Sequence, residues 1–136
     1  MSEEAKKRLK DLAKEVREKV NPTGAPVLHQ RGLELVDEIA KELAQPDGMP
    51  GLRVWRDSPA KIRLTRPNRN AEIALEWQRD VQAIAMSLEK HGEPKMLVRY
   101  VWDEGKKHWR KLDGGGEIWE DLTAALVDYL YPEGKR

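Results

Sequence analysis

Arg53, Trp55, Lys61, Arg63 and Thr65 recur at every second position on either side of a turn signal, Asp57-Ser58-Pro59. On a pleated hairpin they share one face, with Arg66 and Arg69 at its edge. Interleaved cations and an indole suit recognition: a guanidinium pairs with phosphate or carboxylate, and the indole offers stacking area. The same residues form a plain solvated face if the arginines pair with Glu72 and Glu76 of the following strand.

A second set, Glu34, Asp37, Glu38 and Glu42, lies along one helical stretch and would bind iron or calcium weakly if its carboxylates converged. Asp103, Glu104 and His108 border one turn, but Lys106 and Lys107 between them oppose a cation. The remaining histidines, His29 and His91, have no second ligand at helical or hairpin spacing.

For nucleophilic chemistry the serines are Ser2, Ser58 and Ser87, none in a strand–helix elbow and none beside a credible base. Gly114-Gly115-Gly116 precedes a helix, yet the Walker lysine is missing and Glu117 and Glu120 stand where an anion would sit. The glycine run reads as a tight corner whose carboxylates complement the helix dipole. No residue set announces a reaction, so the chain reads as non-enzymatic and without a cofactor.

Composition narrows the classes further. With 136 residues the chain is the size of one domain. Lys+Arg (25) nearly balance Asp+Glu (24), so no global field drives it onto nucleic acid or anionic lipid, and recognition has to come from a local patch. Cys 0 removes disulfides, thiolate nucleophiles and cysteine-ligated metals. The N-terminus is charged from the start, and no later apolar run reaches membrane-span length, so a cytoplasmic, soluble protein without membrane insertion is expected. Phe is also 0, leaving Trp 5, Tyr 3 and the aliphatics to fill the core.

These side chains need elements to position them. Ala5, Leu9, Leu12, Val16 and Val20 form one stripe of a helix over 2–20, with Ser2 as a candidate cap. Residues 21–26, Asn-Pro-Thr-Gly-Ala-Pro, stop it and read as a flexible joint, making 1–26 a helix-plus-linker segment and 27–136 the folded domain. A second helix over 27–44 turns Leu28, Leu35, Val36, Ile39 and Leu43 inward.

Beyond the Pro/Gly-dense stretch 45–51 the period changes to two. Leu52 and Val54, then Ile62 and Leu64, alternate with polar residues, and Ile73, Leu75 and Trp77 do the same. Residues 70–91 support two readings: Ile73, Trp77, Val81, Ile84 and Leu88 also fall on one helical stripe, whereas strands would add Leu75 and Met86 to the buried set. The strand reading is the one adopted. It makes 81–88 a fourth strand and 96–102 a fifth, followed by a turn at 103–106, a short strand carrying Trp109, and a helix over 117–131 with Pro132 beyond. Trp102, Trp109 and Trp119 read as core closing the edge of the layers.

A helix, an antiparallel meander of about six strands and a closing helix make a two-layer α+β sandwich, the meander packed against N- and C-terminal helices. The order, and Tyr100-Val101-Trp102, Trp109, Asp113-Gly114-Gly115-Gly116-Glu117 and Trp119-Glu120-Asp121-Leu122 within it, resembles the frataxin family. That resemblance implies an acidic ridge on the helix and first strand that binds iron and meets iron–sulfur assembly partners. Here Arg53 and Arg56 occupy the strand, and 81–88 lacks the exposed tryptophan frataxins use for docking.

The function expected is therefore a small protein-binding module, an accessory subunit or adaptor of frataxin-like architecture, docking through Arg53, Trp55, Arg63 and Arg66. Two alternatives stay open: an iron-binding or iron–sulfur assembly protein using Glu34, Asp37, Glu38 and Glu42, and a nucleic-acid binder using the basic hairpin.

Overall fold

The computed structural model describes residues 3–20, 25–46 and 48–134, with the side chains of 13–26 outside that description. The expected Ser2 cap, the side chains of Val16 and Val20 and the joint at 21–24 lie outside the described residues. Helix α1 runs Glu3–Val20 with Glu3 and Glu4 in its first turn, where the dipole favours negative charge. Leu9 and Leu12 of its stripe are 60% and 55% exposed.

Helix α2, Ala25–Leu43, begins two residues earlier than the sequence suggested, with Pro26 in the first turn, where a missing N–H is harmless. Of its expected inward stripe Leu35, Val36 and Ile39 are buried and Leu28 and Leu43 half-buried, and Ala40 is buried beside them. No described helix is long and apolar enough to cross a membrane.

Six strands follow in one antiparallel sheet whose order is the chain order: β1 Arg53–Ser58, β2 Lys61–Thr65, β3 Ala71–Gln78, β4 Ala83–Lys90, β5 Glu93–Asp103 and β6 His108–Lys111. Stretch 70–91 is two strands. Leu75 pairs with Met86 across the β3–β4 ladder, and they are 0% and 2% exposed. Burying each of two such side chains contributes roughly 1.5–3 kcal/mol, which a single helix facing water on that side would forgo. The turn between them has no glycine, so Gln82 takes the left-handed conformation at φ 51, and β4 begins at Ala83, leaving Val81 50% exposed.

The pairings align rows of apolar side chains across the inner face. Ile62, Leu75, Met86 and Val98 are successive cross-strand partners, as are Leu64, Ile73, Leu88 and Met96. Helices α2 and α3 (Ile118–Ala125) cover this face, and Ile118, Leu122 and Ala125 join the cluster. Among the described residues no polar or charged residue is buried, and no buried side-chain nitrogen or oxygen lacks a partner.

Glu117 caps α3, accepting from the backbone N–H of Trp119 and Glu120. The helix expected over 117–131 is α-helical only to Ala125; Leu126–Leu130 form a wider π turn, closed by Tyr131 N–H donating to Leu126 O at 2.7 Å. Leu130 and Tyr131 are both buried, and the Tyr131 hydroxyl donates to Pro50 O at 2.7 Å.

Candidate functional site

With both helices on the inner face, the alternate residues of the strands lie on a face that no described side chain of another layer covers. Trp55 is 44% exposed there. Its indole N–H donates to Thr65 Oγ1 at 2.8 Å, and the Arg63 guanidinium carbon stands 5.7 Å from its ring centroid. The β1–β2 register puts Trp55 directly opposite Arg63 and Arg53 opposite Thr65. Small side chains, Ala74, Ala85 and Ser87, floor the middle of the face, since Arg63 pairs with Ala74 and Ala74 with Ser87.

Arg63 is not a free cation. It donates through Nε and a terminal nitrogen to Asp57 at 2.6 and 3.0 Å, and through the other to Glu72 at 3.1 Å. These carboxylates push its pKa further up, while the guanidinium holds the Asp57 carboxyl below the ordinary carboxylate value. The expected cross-strand pairing with Glu72 is therefore present, and it offsets much of the local positive charge. Arg53, by contrast, is exposed and has no ion-pair partner among the described residues.

The structure brings Arg53, Trp55 and Arg63 together and sets Arg66 apart. Arg66 lies 4.2 Å over the Tyr131 ring, donates to Leu130 O at 2.9 Å and pairs with Glu133. It ties the end of β2 to the C-terminal turn and touches the open face only at its margin.

The acidic set on α2 is dispersed. Asp37 is paired with Arg56 at 2.7 Å and Lys41 at 3.0 Å, which hold its carboxyl below the ordinary value. Glu34 accepts from Gln30 at 3.0 Å, and Glu38 and Glu42 face water. At the β5–β6 turn, Glu104 takes Lys107 and the Trp102 indole N–H, while Asp103 caps Lys106 N–H and meets Arg110. Among the described residues no group of three His, Asp or Glu side chains is placed to hold a metal ion.

One cluster escaped the sequence altogether. His29, Trp77, Trp109 and Trp102 form a continuous series, with ring centroids 6.1, 5.9 and 5.6 Å apart, that ends with Arg31 4.7 Å over Trp102. The Trp77 indole N–H donates to His29 Nδ1 at 2.7 Å. His29 and Trp77 are joined across 48 positions, and no local signal marks such a pair. The series seats the first turns of α2 on the sheet; of the three tryptophans expected in the core Trp109 is buried, while Trp102 and Trp119 are half-buried against it.

Comparison with protein-family models, with curated proteins and with solved structures returns no match, so function has to be argued from this geometry.

Proposed function

We propose that the chain is a small non-enzymatic protein-binding module, an accessory subunit or adaptor of frataxin-like architecture, that docks through the outer sheet face around Arg53, Trp55 and Arg63, with Arg66 at the margin. The observation that carries this reading is Trp55: a large indole left 44% exposed on a sheet face that no described side chain of another layer covers, with Arg63 beside it. Tryptophan and arginine are enriched among binding hot spots. The partner surface is acidic or mixed, since Arg53 is unmatched while Arg63 arrives already paired.

The test is affinity capture of partners by the wild-type chain beside Trp55→Ala and Trp55→Ala/Arg53→Glu. Loss of the same partners from both variants, with unchanged unfolding midpoints, is the expected result; equal recovery by all three proteins overturns the sheet-face site. Duplex or single-stranded DNA binding whose affinity falls steeply with salt would transfer the face to nucleic acid. Shifts at Glu34, Asp37, Glu38 and Glu42 on ferrous titration would move the function to α2.

A further inference from the structure

Read across the strands, the outer sheet face is laid out in three rows that the ladders fix. In the first, Arg53 pairs with Thr65 and Glu72 with Glu89, and Thr65 and Glu72 border one hollow. In the second, Trp55, Arg63, Ala74, Ser87 and Leu97 are successive cross-strand partners from β1 to β5. In the third, Lys61 pairs with Glu76 and Glu76 with Ala85. The register shifts lie between Arg56 and Ser58 and between Leu88 and Glu89 of the β4–β5 ladder, so neither interrupts these pairings.

Several charges in the rows are unmatched within the chain. Arg53 on β1 and Glu89 on β4 have no ion-pair partner among the described residues. Lys61 and Glu76 stand opposite each other without an ion pair, and Glu76 takes only the Gln78 amide, at 3.5 Å. In the middle row the two large apolar side chains, Trp55 and Leu97, are 44% and 55% exposed.

The unmatched groups on β1 and β2 have their complements on β4 and β3. A twofold axis parallel to the strands, over the gap between β2 and β3, lays β1 of one copy across β4 of the other and β2 across β3, with the sheets about 10 Å apart. Arg53 then faces Glu89, Lys61 faces Glu76 and Thr65 faces Glu72, each twice. The Trp55 indole lies over Ser87 and beside Leu97, its neighbour in the row. Arg63 faces uncharged Ala74 and enters the contact already paired with Asp57 and Glu72, so no cation is buried alone.

Like charges fix the position of the axis. Over β2 it would set Lys61 and Arg63 against their own images, and over β3 it would do the same to Glu72 and Glu76. Only the gap between those strands brings opposite signs together in both charged rows.

We infer that the outer face is the interface of a homodimer, two copies packed sheet to sheet about this axis. The inference rests on the reading of this face as the docking surface and names the partner as a second copy, whose surface is mixed in charge.

Sedimentation equilibrium of the full chain should show a monomer–dimer equilibrium between about 1 μM and 1 mM. Trp55→Ala should weaken the dimer about tenfold or more. Arg53→Glu and Glu89→Arg each set like charges together at both ends of the interface, and each should weaken it at least as much with an unchanged far-ultraviolet circular dichroism spectrum. Mixed in equal amounts, those two charge variants should form a heterodimer of about wild-type affinity, because opposite charges then meet at both ends; misfolded chains could not complement each other. A mixture no tighter than its components, or a dimer indifferent to all three substitutions, overturns the arrangement. A chain still monomeric at about 1 mM overturns the second copy as occupant. It leaves the sheet-face site itself to the capture experiment with Trp55→Ala, which fails or succeeds separately.

Discussion

Gly32 of α2 lies so close to the Trp77 indole of β3 that a Cβ on Gly32 would overlap the ring, leaving room for backbone alone between helix and sheet. The contact sets how near α2 approaches the sheet at the end where His29 accepts the same indole's N–H. Glycine inside a helix is unfavourable by about 1 kcal/mol relative to alanine, so its presence here reflects packing and not helix propensity.

Gly32→Ala is therefore expected to lower the urea midpoint although it improves the helix. Overpacking costs typically about 1–3 kcal/mol, more than the propensity gain. In a Trp77→Leu background the same substitution should become neutral or stabilising. Equal losses in both backgrounds would show that the indole is not the obstacle.

His29→Phe keeps much of the packing but leaves the Trp77 indole N–H, in a ring 4% exposed, without an acceptor. An unsatisfied buried donor costs about 1–3 kcal/mol, and chemical denaturation should show a loss of that size. In Trp77→Phe the donor is gone, so His29→Phe on that background should be nearly silent. A double-mutant cycle with no coupling would reject the bond as a contributor.

Tyr100 is fully buried and its hydroxyl donates to Asp121 Oδ2 at 2.7 Å. Burial first, and then the hydrogen bond to that carboxylate, hold its phenol well above the ordinary 10.0. A phenol raised in the fold contributes stability that is whole below the unfolded value and lost as pH climbs through the folded one. Stability should therefore decline above about pH 10, with Tyr100 ionising only as the chain opens. Tyr100→Phe should flatten that decline and remove a late component from the phenolate absorbance titration; an unaltered titration curve would contradict the assignment.

Arg66 holds the C-terminal turn by lying over Tyr131, donating to Leu130 O and pairing with Glu133. Arg66→Ala should cost about 1–2 kcal/mol through the lost ring contact and the orphaned carbonyl. Glu133, Asp57, Asp37 and Glu104 all have carboxyls held below their ordinary values, each first of all by a hydrogen bond from a cation: Arg66, Arg63, Arg56 and Lys107. Lowered folded values mean stabilisation that is present above the unfolded values, 3.8 for Asp and 4.5 for Glu, and lost as pH falls through the folded ones. Urea midpoints should accordingly drop below about pH 4.5, and Glu133→Gln should drop less steeply. An identical acid slope in that variant would mean that the pair adds nothing.

Much of the fold was legible before any coordinates. Leu35, Val36 and Ile39 announce the inner face of α2, and the alternation in Arg53–Ser58 and Lys61–Thr65 announces the first hairpin, because each pattern is local and repeats with the period of its element. The grouping of Arg53, Trp55 and Arg63 on one face follows from the same period of two. Stretch 70–91 carried both periods at once, so local pattern alone could not separate them. What separates them is the place that β2 and β5 provide for Leu75 and Met86, and that place exists only once the sheet is assembled.

The charge state of the face was less legible. Asp57 and Glu72 converge on Arg63, and Glu133 reaches Arg66 from 67 positions away, by virtue of register and of how the C-terminal turn folds back. Local periodicity, then, determined the first hairpin and the inward faces of the helices; only tertiary structure decided that 70–91 is two strands and which charges cancel, because both depend on residues distant in sequence meeting in space.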